Sequence, residues 1–479
     1  MAAFFTIGEK KTRPGVYYRY ENYGTPPEAG ADDGTCAVVI QGDWGPVNQA
    51  VLIENYTDIE KVFGTAGTTG IATEVFKGGA KKAYVVRLGG DTDAKNGEIT
   101  LKDTTVDEGK DAVKLTLKYP GDRAFEVTLR KTLADQTVME LLLTSGTDQL
   151  ERLTFPVAGS VKGIIDAFND KGSDYFNLTA VAEYAEGTGI LAEVEQTKVA
   201  GGKNPKVDNN AYTKAFEALE PYRWNVLAID TDKTDVQNMM QLYLNRIYEG
   251  GHFCMGVIGE PTTQTMDTRL SHAASFNDYQ IVYVGNGFID NTGAVYEGAK
   301  AAARIAGMIA GTPSNQSITH AAVTGAVDLS EALTNAQYEE AIKKGMLTFS
   351  VSAAGTVWVE QGVNTLVVPS QLEDEGWKKI KRTKVRFELF QRLNDTVEGL
   401  VGKINNDEDG RMTVVQCCNG VCNSMVSERK LLPGAYVEVD PNNAPKGDSA
   451  WFVVYADDID SLEKLYFTFM FRFAPEDTE

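Results

Sequence analysis

Apolar and polar positions alternate in blocks along the chain, and the period of the alternation changes twice. In residues 36–95, and again from residue 201, short apolar runs typical of buried strands alternate with amphipathic segments typical of helices. Because strand and helix take turns, these stretches predict one α/β core, a mostly parallel sheet with helices on its faces. The expected strands include residues 37–40, 82–88, 224–229, 253–258 and 280–284, and the expected helices include residues 212–219 and 235–248.

Residues 96–200 follow a period of two instead. Segments 99–101, 113–117 and 125–129 alternate apolar and polar residues, and turn-forming residues separate them. Such a pattern is typical of an antiparallel meander or sandwich, and one short helix is expected near residues 161–168. The sequence therefore predicts an antiparallel β domain inserted into the α/β core.

Residues 1–35 predict an N-terminal arm and linker. A short strand pattern is followed by a tract rich in proline and glycine, which favours a loose connection. A lone strand ahead of such a linker has no local partner, so it must pair with a distant part of its own chain or with another chain. The candidate pairing residues are Val16, Tyr17, Tyr18, Arg19 and Tyr20.

Residues 371–479 predict an α+β C-terminal domain. A long helix is expected over residues 371–404, and the remainder is expected to be rich in strands. The last strand, residues 464–473, carries aromatic side chains on one face, and exposed edge strands are hazards unless they are paired. Each terminal strand can pair within its own subunit or be exchanged between subunits, and head-to-tail exchange that does not close generates a helical polymer. The candidate pairing residues of the last strand are Tyr466, Phe467, Thr468, Phe469, Met470 and Phe471.

A run of basic residues marks the predicted long helix. On a continuous helix, Lys378, Arg382 and Arg386 would lie on one face. Two interpretations stay open: a solvated helix face, or a basic surface that meets an acidic partner. The candidate residues are Lys378, Lys379, Lys381, Arg382, Lys384 and Arg386.

The overall charge makes this basic run unusual. The 479 residues carry 46 Lys and Arg against 67 Asp and Glu, a formal net charge of −21. General nucleic-acid binding is not expected, because phosphate contacts need clustered cations. Membrane insertion is not expected either, because no apolar run reaches the roughly 18 residues that a membrane helix needs.

The sequence offers little for catalysis or metal binding. Its three histidines, His252, His272 and His320, are widely separated, and the P-loop, G-x-S-x-G and H-E-x-x-H motifs are absent. Three cysteines within six residues lack a matching pair elsewhere, which favours packed thiols near a turn over a metal site. We therefore expect neither cofactor nor metal. These cysteines are Cys417, Cys418 and Cys422.

Several segments together resemble a known family. They are Thr-Arg-Pro-Gly-Val-Tyr at residues 12–17, Ala-Gly-Met-Ile-Ala-Gly-Thr-Pro-Ser-Asn-Gln-Ser at residues 306–317, the basic helix after Pro369, and the ending over residues 456–473. In their order and spacing they are similar to the contractile tail sheath proteins of bacteriophages and of phage-tail-like bacteriocins from Gram-positive bacteria. The resemblance covers essentially the whole chain.

The resemblance implies a structural subunit, not an enzyme. Such a subunit forms a helical polymer of stacked rings around a tail tube protein, and the polymer contracts to drive the tube through a target cell envelope. Baseplate and tail terminator proteins are further implied partners. Assembly in the cytoplasm of a bacterial host is implied, followed by service in the tail of a virion or released particle.

The resemblance also implies a role for each part. Residues 36–95 and 201–370 would form the sheath domain, residues 96–200 an outward-facing domain, and residues 371–479 a C-terminal domain. The two terminal strands would join neighbouring subunits, and the basic helix would face the tube. Two other functions stay open on the sequence: a non-polymerising α/β hydrolase, and a carbohydrate-binding module that uses the β insertion.

Overall fold

In a computed structural model of the chain, the N-terminal arm contains two short strands. Ala3–Phe4 (β1) pairs in parallel with Tyr17–Tyr18 (β2). Of the predicted pairing residues, Val16, Arg19 and Tyr20 lie outside the described residues. The structure describes residues 3–4, 17–18, 34–90, 92–106, 109–184, 188–371 and 373–471.

The first part of the α/β core begins with a fully buried strand. All six side chains of β3 are buried, as expected for a parallel strand that is covered on both faces. The strand that follows it in the sheet, β5, runs parallel to it, while β4 pairs with β5 in the antiparallel sense. The elements of this part are β3 (Thr35–Ile40), β4 (Ala50–Ile53), α1 (Thr57–Phe63), α2 (Gly70–Gly78) and β5 (Lys82–Arg87).

The described residues between 96 and 198 fold into two antiparallel sheets and one α-helix, with a 3-10 turn at Ala182–Tyr184. Val113, Leu115 and Leu117 point into the core between them, while Lys114 and Thr116 on the same strand are partly exposed, so the period of two reflects one buried face. The sheet orders are β10-β9-β8-β12 and β11-β7-β6. The elements are β6 (Asn96–Asp103), β7 (Lys110–Pro120), β8 (Glu126–Lys131), β9 (Val138–Ser145), β10 (Asp148–Pro156), α3 (Ser160–Lys171), β11 (Phe176–Ala180) and β12 (Val194–Lys198).

The α/β pattern then resumes and completes a seven-stranded sheet within the described residues. Its order is β19-β15-β14-β13-β3-β5-β4, and the pairs from β19 to β5 are parallel. The predicted α/β class with parallel strands is confirmed. The elements are α4 (Asn209–Leu219), β13 (Val226–Ala228), α5 (Thr234–Glu249), β14 (Met255–Gly259), α6 (Met266–Phe276), β15 (Ile281–Val284), β16 (Phe288–Asp290), β17 (Val295–Tyr296), α7 (Ala299–Gly311), β18 (Ala326–Leu329), α8 (Asn335–Lys343), β19 (Met346–Leu347), β20 (Phe349–Val351) and β21 (Val357–Val359).

Helices cover both faces of this sheet. Side chains of α2 and α7 pack on one face, and side chains of α4, α5 and α6 pack on the other. The crossing of α2 and α7 is close: a Cβ added at Gly307 would lie 1.9 Å from the carbonyl oxygen of Val75. Within this contact the buried Arg304 guanidinium donates to the Glu74 carboxylate, with Nε 3.0 Å from Oε2.

The C-terminal region corrects two predictions. A 3-10 turn, Glu375–Lys378, precedes the first helix, α9 (Ile380–Glu398). The backbone at Lys379 is extended, with φ −105° and ψ 127°, because this residue forms a bridge to Val363. The helix predicted over residues 371–404 is therefore too long, and Lys378 does not share a helix with Arg382 and Arg386.

The second correction concerns the segment that follows, which was expected to be rich in strands. It begins with a 20-residue helix, α10 (Glu408–Ser427), and a hairpin comes afterwards, β22 (Tyr436–Val439) and β23 (Phe452–Tyr455). The side chain of Asp407 accepts a hydrogen bond from the backbone N–H of Gly410, so the polar residues that suggested a turn are an N-cap. None of the described helices has the length and apolar character needed to cross a membrane.

The three clustered cysteines lie in the middle of α10 and not near a turn. Cys418 and Cys422 are buried in the same cluster as Val385 and Leu389 of α9, and all three thiols are free. Burial raises the pKa of Cys418 to about 11. The thiols of Cys418 and Cys422 therefore pack as small apolar groups between the two helices.

Candidate assembly interface

The chain leaves the C-terminal hairpin and ends in an exposed aromatic segment. Residues 464–471, here named the C-terminal arm, lie in no regular element. Tyr466, Met470 and Phe471 are 90%, 89% and 85% exposed. The rings of Phe469 and Phe471 lie 6.3 Å apart and are inclined by only 14°, so alternate side chains share a face, as they do in an extended chain.

The predicted last strand thus has no strand partner among the described residues. Its six candidate residues are six of the eight residues of the arm, and their backbone groups are not part of any sheet there. An extended segment with large exposed apolar side chains is a surface that another chain can cover. These residues are Tyr466, Phe467, Thr468, Phe469, Met470 and Phe471.

Before the arm, residues 457–463 form a firmly attached segment, here named the arm root. The backbone N–H of Leu432 donates to the carbonyl oxygen of Asp457 at 2.8 Å, and that of Ile459 donates to the carbonyl oxygen of Lys430 at 2.9 Å. Leu431 and Asp458 form an antiparallel bridge. The root therefore lies beside the segment that follows α10.

Two arginines of α9 hold Asp458, whose side chain is 6% exposed. The Nη2 group of Arg382 donates to Oδ1 at 3.0 Å, the Nη2 group of Arg386 donates to the same oxygen at 2.9 Å, and Nε of Arg382 also contacts the carboxylate. Burial by itself raises the pKa of Asp458, but the hydrogen bonds from the two arginines outweigh it and hold the pKa below its usual value. Asp458 is therefore a charged, partly buried anchor.

Lys379 holds the remaining acids of the root. Its ammonium group lies 2.7 Å from Asp460 and 3.0 Å from Glu463. Burial lowers the pKa of Lys379, but the hydrogen bonds to these two carboxylates raise it overall. Glu463 also accepts hydrogen bonds from Thr319 at 3.0 Å and from Gln361 at 3.1 Å, so the root is tied to the α/β core as well.

The other predicted basic residues also have neighbours within the chain. Lys384 donates to the carbonyl oxygens of Ile309 and Thr312, at the C-terminal end of α7. Burial lowers the pKa of Lys381, whose residue is 5% exposed, and Lys378 pairs with Glu375 at 2.8 Å. Five of the six cations, all except Lys381, thus pair with acids or carbonyl groups of this chain.

The motif at residues 306–317 covers the end of α7 and the start of the loop that follows it. Contacts made by the polar residues of this loop explain part of its composition. Its Ser314 hydroxyl contacts Glu388 of α9, and Ser317 donates to Glu463 at 3.3 Å. The motif therefore joins the α/β core both to α9 and to the arm root.

The hairpin of β22 and β23 is a second candidate surface, which the sequence analysis missed. The two strands pair with each other and with no further strand in the part of the chain that the structure describes. Tyr436 and Tyr455 are 44% and 43% exposed, and their rings stack at 4.8 Å. The β-branched and aromatic residues at 436–439 and 452–455, on either side of a tract of turn-forming residues, are the signal that could have identified it.

An apolar groove of about 640 Å³ lies next to this hairpin. It runs between α9, α10 and β23, and side chains of all three elements line it. An aromatic segment laid along the hairpin would have apolar surface beside it. Lining residues include Phe390, Leu393, Val397, Val414, Phe452 and Val454.

The three histidines have neighbours that give no catalytic grouping. Nε2 of His252 lies 2.9 Å from the carbonyl oxygen of Trp224, and burial lowers the pKa of this histidine. His272 pairs with Glu260 at 2.9 Å, and His320 stacks on Trp358 with ring centroids 4.1 Å apart. Among the described residues, no group of three His, Cys, Asp or Glu could hold a metal ion.

Comparison with protein families identifies the second part of the α/β core. Residues 205–365 match the model of the phage tail sheath protein central domain. The chain carries a phage tail sheath domain. The match begins just after β12 and extends to the residues that precede α9, and it confirms the tail sheath prediction made from the sequence.

Similar proteins extend the likeness beyond this domain. The phage-like element PBSX protein XkdK of Bacillus subtilis (strain 168) is 24% identical over 419 residues, 83% of this chain and 82% of that protein. The sheath tail protein from Desulfitobacterium hafniense is 19% identical, with a TM-score of 0.68 over 93% of this chain and 100% of that one. The helical sheath of the anti-feeding prophage in the contracted state is 12% identical, with a TM-score of 0.53 over 96% of this chain and 99% of that one. At these identities the solved structures establish a shared fold.

Proposed function

We propose that the chain is the structural subunit of a contractile tail sheath. Copies polymerise helically around a tail tube, and contraction drives the tube through a target cell envelope. The observation that carries this proposal, beside the sheath domain itself, is the C-terminal arm: an exposed aromatic segment that is anchored at its root and has no strand partner among the described residues.

Subunits are joined by strand exchange in this proposal. The arm of one subunit adds to the hairpin of β22 and β23 in a neighbour, where backbone hydrogen bonds supply the joint and the apolar groove takes side chains from one face of the arm. Burial of a large apolar side chain contributes about 1.5–3 kcal/mol, so a few aromatic side chains suffice for a strong contact. A joint of this kind survives a change in the packing of whole subunits, because it depends on local pairing.

The N-terminal arm supplies the second joint. Residues Val16, Tyr17, Tyr18, Arg19 and Tyr20 pair with a neighbouring subunit, and the linker up to residue 35 spans the distance. The two-residue pairing of β1 with β2 is small enough to be replaced by a longer ladder in the polymer.

The remaining parts have roles that follow from the tubular shape of a polymer built around a tail tube. The inserted β domain has its own core and faces outward. The C-terminal domain lies towards the tail tube protein, and baseplate and tail terminator proteins contact the two ends of the polymer. Subunits assemble in the host cytoplasm and then serve in the tail of a virion or released particle.

The proposed action is mechanical and not enzymatic. The extended polymer is a metastable state, and contraction increases the contact between subunits, so the interaction free energy between two packed states drives the movement. No bound cofactor is required for such a transition.

The test compares two truncations of the purified chain. Deleting residues 464–479 removes the arm and should give folded subunits that sediment as monomers and form no tubes in the electron microscope. The control deletes residues 475–479, beyond the arm, and should assemble like the full chain. Tubes from the armless variant would contradict the strand-exchange proposal.

A further inference from the structure

Three of the six basic side chains that the sequence places near the start of α9 have their charges directed at the arm root. We propose that Lys379, Arg382 and Arg386 form an ionic clamp, and that they act as positioning residues that set where and in which direction the C-terminal arm leaves its subunit. This inference rests on the proposed function and adds to it the residues that determine the direction of the arm.

The clamp ends where the arm begins. Glu463, the last residue of the root, has a side chain that is 11% exposed, whereas Leu465 and Tyr466 are 61% and 90% exposed. Beyond Glu463 the arm is free for a neighbour to use. Polar attachment therefore stops at one point of the chain, and that point fixes the origin of the arm.

The clamp also fixes direction, because its contacts come from different elements. Arg382 and Arg386 hold Asp458 from α9, and Lys379 holds Asp460 and Glu463 from the extended residue before that helix. The loop after α7 adds hydrogen bonds to Glu463 from Ser317 and Thr319. Contacts to three residues of the root, spread over residues 458–463 and coming from several sides, prevent it from pivoting about a single bond.

The geometry of the charged groups suits this role. A guanidinium group presents several donors in one plane, so its hydrogen bonds to a carboxylate depend on orientation as well as on distance. Arg386 has a second partner, Asp374, at 2.9 Å, and its guanidinium lies 4.6 Å from the centre of the Trp377 ring. The arginine that holds the root is thus itself held in place.

This assignment competes with the tube-facing role of the same residues. Cations that are already paired with Asp458, Asp460 and Glu463 must give up those partners before they can meet an acidic tube surface. A clamp requires only that opposite charges face each other, whichever side carries which sign. A tube-facing surface requires the positive charge to remain at residue 379.

A charge exchange separates the two roles in the full-length purified chain, without any tube protein. The variants are Lys379→Glu, the charge exchange Lys379→Glu with Asp460→Lys and Glu463→Gln, which also removes the second acid beside residue 379, and the control Lys403→Glu, an exposed lysine beyond the end of α9. Two quantities are measured: hydrogen exchange in peptides covering residues 430–432 and 457–463, and the yield of tubes by sedimentation and electron microscopy. Lys379→Met, which keeps the alkyl stem, replaces the reversal if that variant misfolds.

The clamp predicts that Lys379→Glu speeds hydrogen exchange in the root and abolishes tube formation. The charge exchange should restore slow hydrogen exchange and tube formation, and Lys403→Glu should change neither of these quantities. Tubes formed by Lys379→Glu, or a charge exchange that restores slow hydrogen exchange without tubes, would overturn the positioning role. If the unaltered chain forms no tubes at any concentration or salt, and none when a tail tube protein is added, the proposed function fails. If slow hydrogen exchange in the root still depends on residue 379 in that case, the clamp exists but has no role in assembly.

Discussion

Asp458 shows how a single buried carboxylate fastens the root to its subunit. Its side chain is almost fully buried, and two arginines donate to it. Removing one partner from such a group leaves the other charges without compensation, which costs more than the pair contributes when it is intact. The residue is therefore a sensitive position for testing the attachment of the C-terminal segment.

We predict that Asp458→Asn lowers the free energy of unfolding by about 1–3 kcal/mol at pH 7. The pKa of Asp458 is lower in the folded chain than its ordinary value, which is about 3.9. Its contribution is therefore complete above that value and is lost as pH falls through the folded pKa. Urea unfolding followed by circular dichroism should show the two stabilities converging towards low pH.

Asp457→Asn is the matched control for that comparison. Asp457 is the exposed neighbour of Asp458, and its backbone carbonyl, which the substitution keeps, makes the contact with Leu432. The control should track the unaltered chain at every pH. An Asp458→Asn variant as stable as this control at pH 7 would contradict the anchoring role.

At this scale the sequence identified the cations but not their partners. The concentration of basic residues near α9 was visible because like charges stood together in an acidic chain. Arg382 and Asp458 are 76 residues apart, and nothing local in the sequence relates them. Whether such cations face solvent, a partner or their own chain depends on tertiary contacts that periodicity does not report.

Among the secondary-structure elements, α2 and α7 cross in very close contact. Gly307 permits the close approach, because a side chain there would meet backbone that cannot move aside. We predict that Gly307→Ala lowers the free energy of unfolding by about 1–3 kcal/mol through overpacking, although alanine favours the helix itself.

Gly420→Ala in α10 makes the same chemical change where there is room. A Cβ at Gly420 would meet no atom within 4 Å, so the helix preference of alanine should stabilise the chain by up to about 1 kcal/mol. Thermal unfolding of both variants measures the contrast. A Gly307→Ala variant that is as stable as the unaltered chain would show that the two helices can separate.

The elements that the sequence predicted well are those with a strong period. Strands such as β3 and β14 are buried on both faces, and β7 alternates, so each has a clear pattern. The helix α10 was missed because Asp407 and its neighbours resemble a turn and because cysteines and valines replace strong helix formers. The start of α9 was misplaced because the bridge from Lys379 to Val363 is a long-range contact.

On the scale of the whole molecule, the inserted β domain joins the α/β core at one place. Its two ends lie side by side, since the backbone N–H of Lys95 donates to the carbonyl oxygen of Lys203 at 3.1 Å. Trp44 of the core packs edge-on against Phe125 of the insertion, with ring centroids 5.4 Å apart. The buried Arg87 donates to the carbonyl oxygen of Pro120 at 2.7 Å.

We predict that replacing residues 96–200 with a short glycine-serine linker leaves a folded α/β core with a lower melting temperature. The sheet keeps its strands, but Trp44 and Arg87 lose partners. Circular dichroism and thermal unfolding check this, with Trp44→Ser added to remove the newly exposed ring. A product without cooperative unfolding would show that the insertion is part of the folding core.

The general architecture followed from the sequence, and the assembly surfaces followed only in part. The terminal segments were noticed because a strand pattern stood without a local partner. The hairpin that we propose as the acceptor, and the groove beside it, depend on how α9 and α10 pack against residues 436–455. Periodicity does not specify that packing, since each strand of the hairpin is only four residues long.

Helical reconstruction by electron cryomicroscopy of tubes formed by the purified chain tests the joint between subunits most directly. Strand exchange predicts that residues 464–471 of one subunit form a strand on the hairpin of β22 and β23 in its neighbour, with the root still held by Lys379, Arg382 and Arg386. Tubes in which each arm folds back onto its own subunit would contradict strand exchange. A chain that stays monomeric at every concentration and salt, and also with a tail tube protein present, would contradict the sheath function.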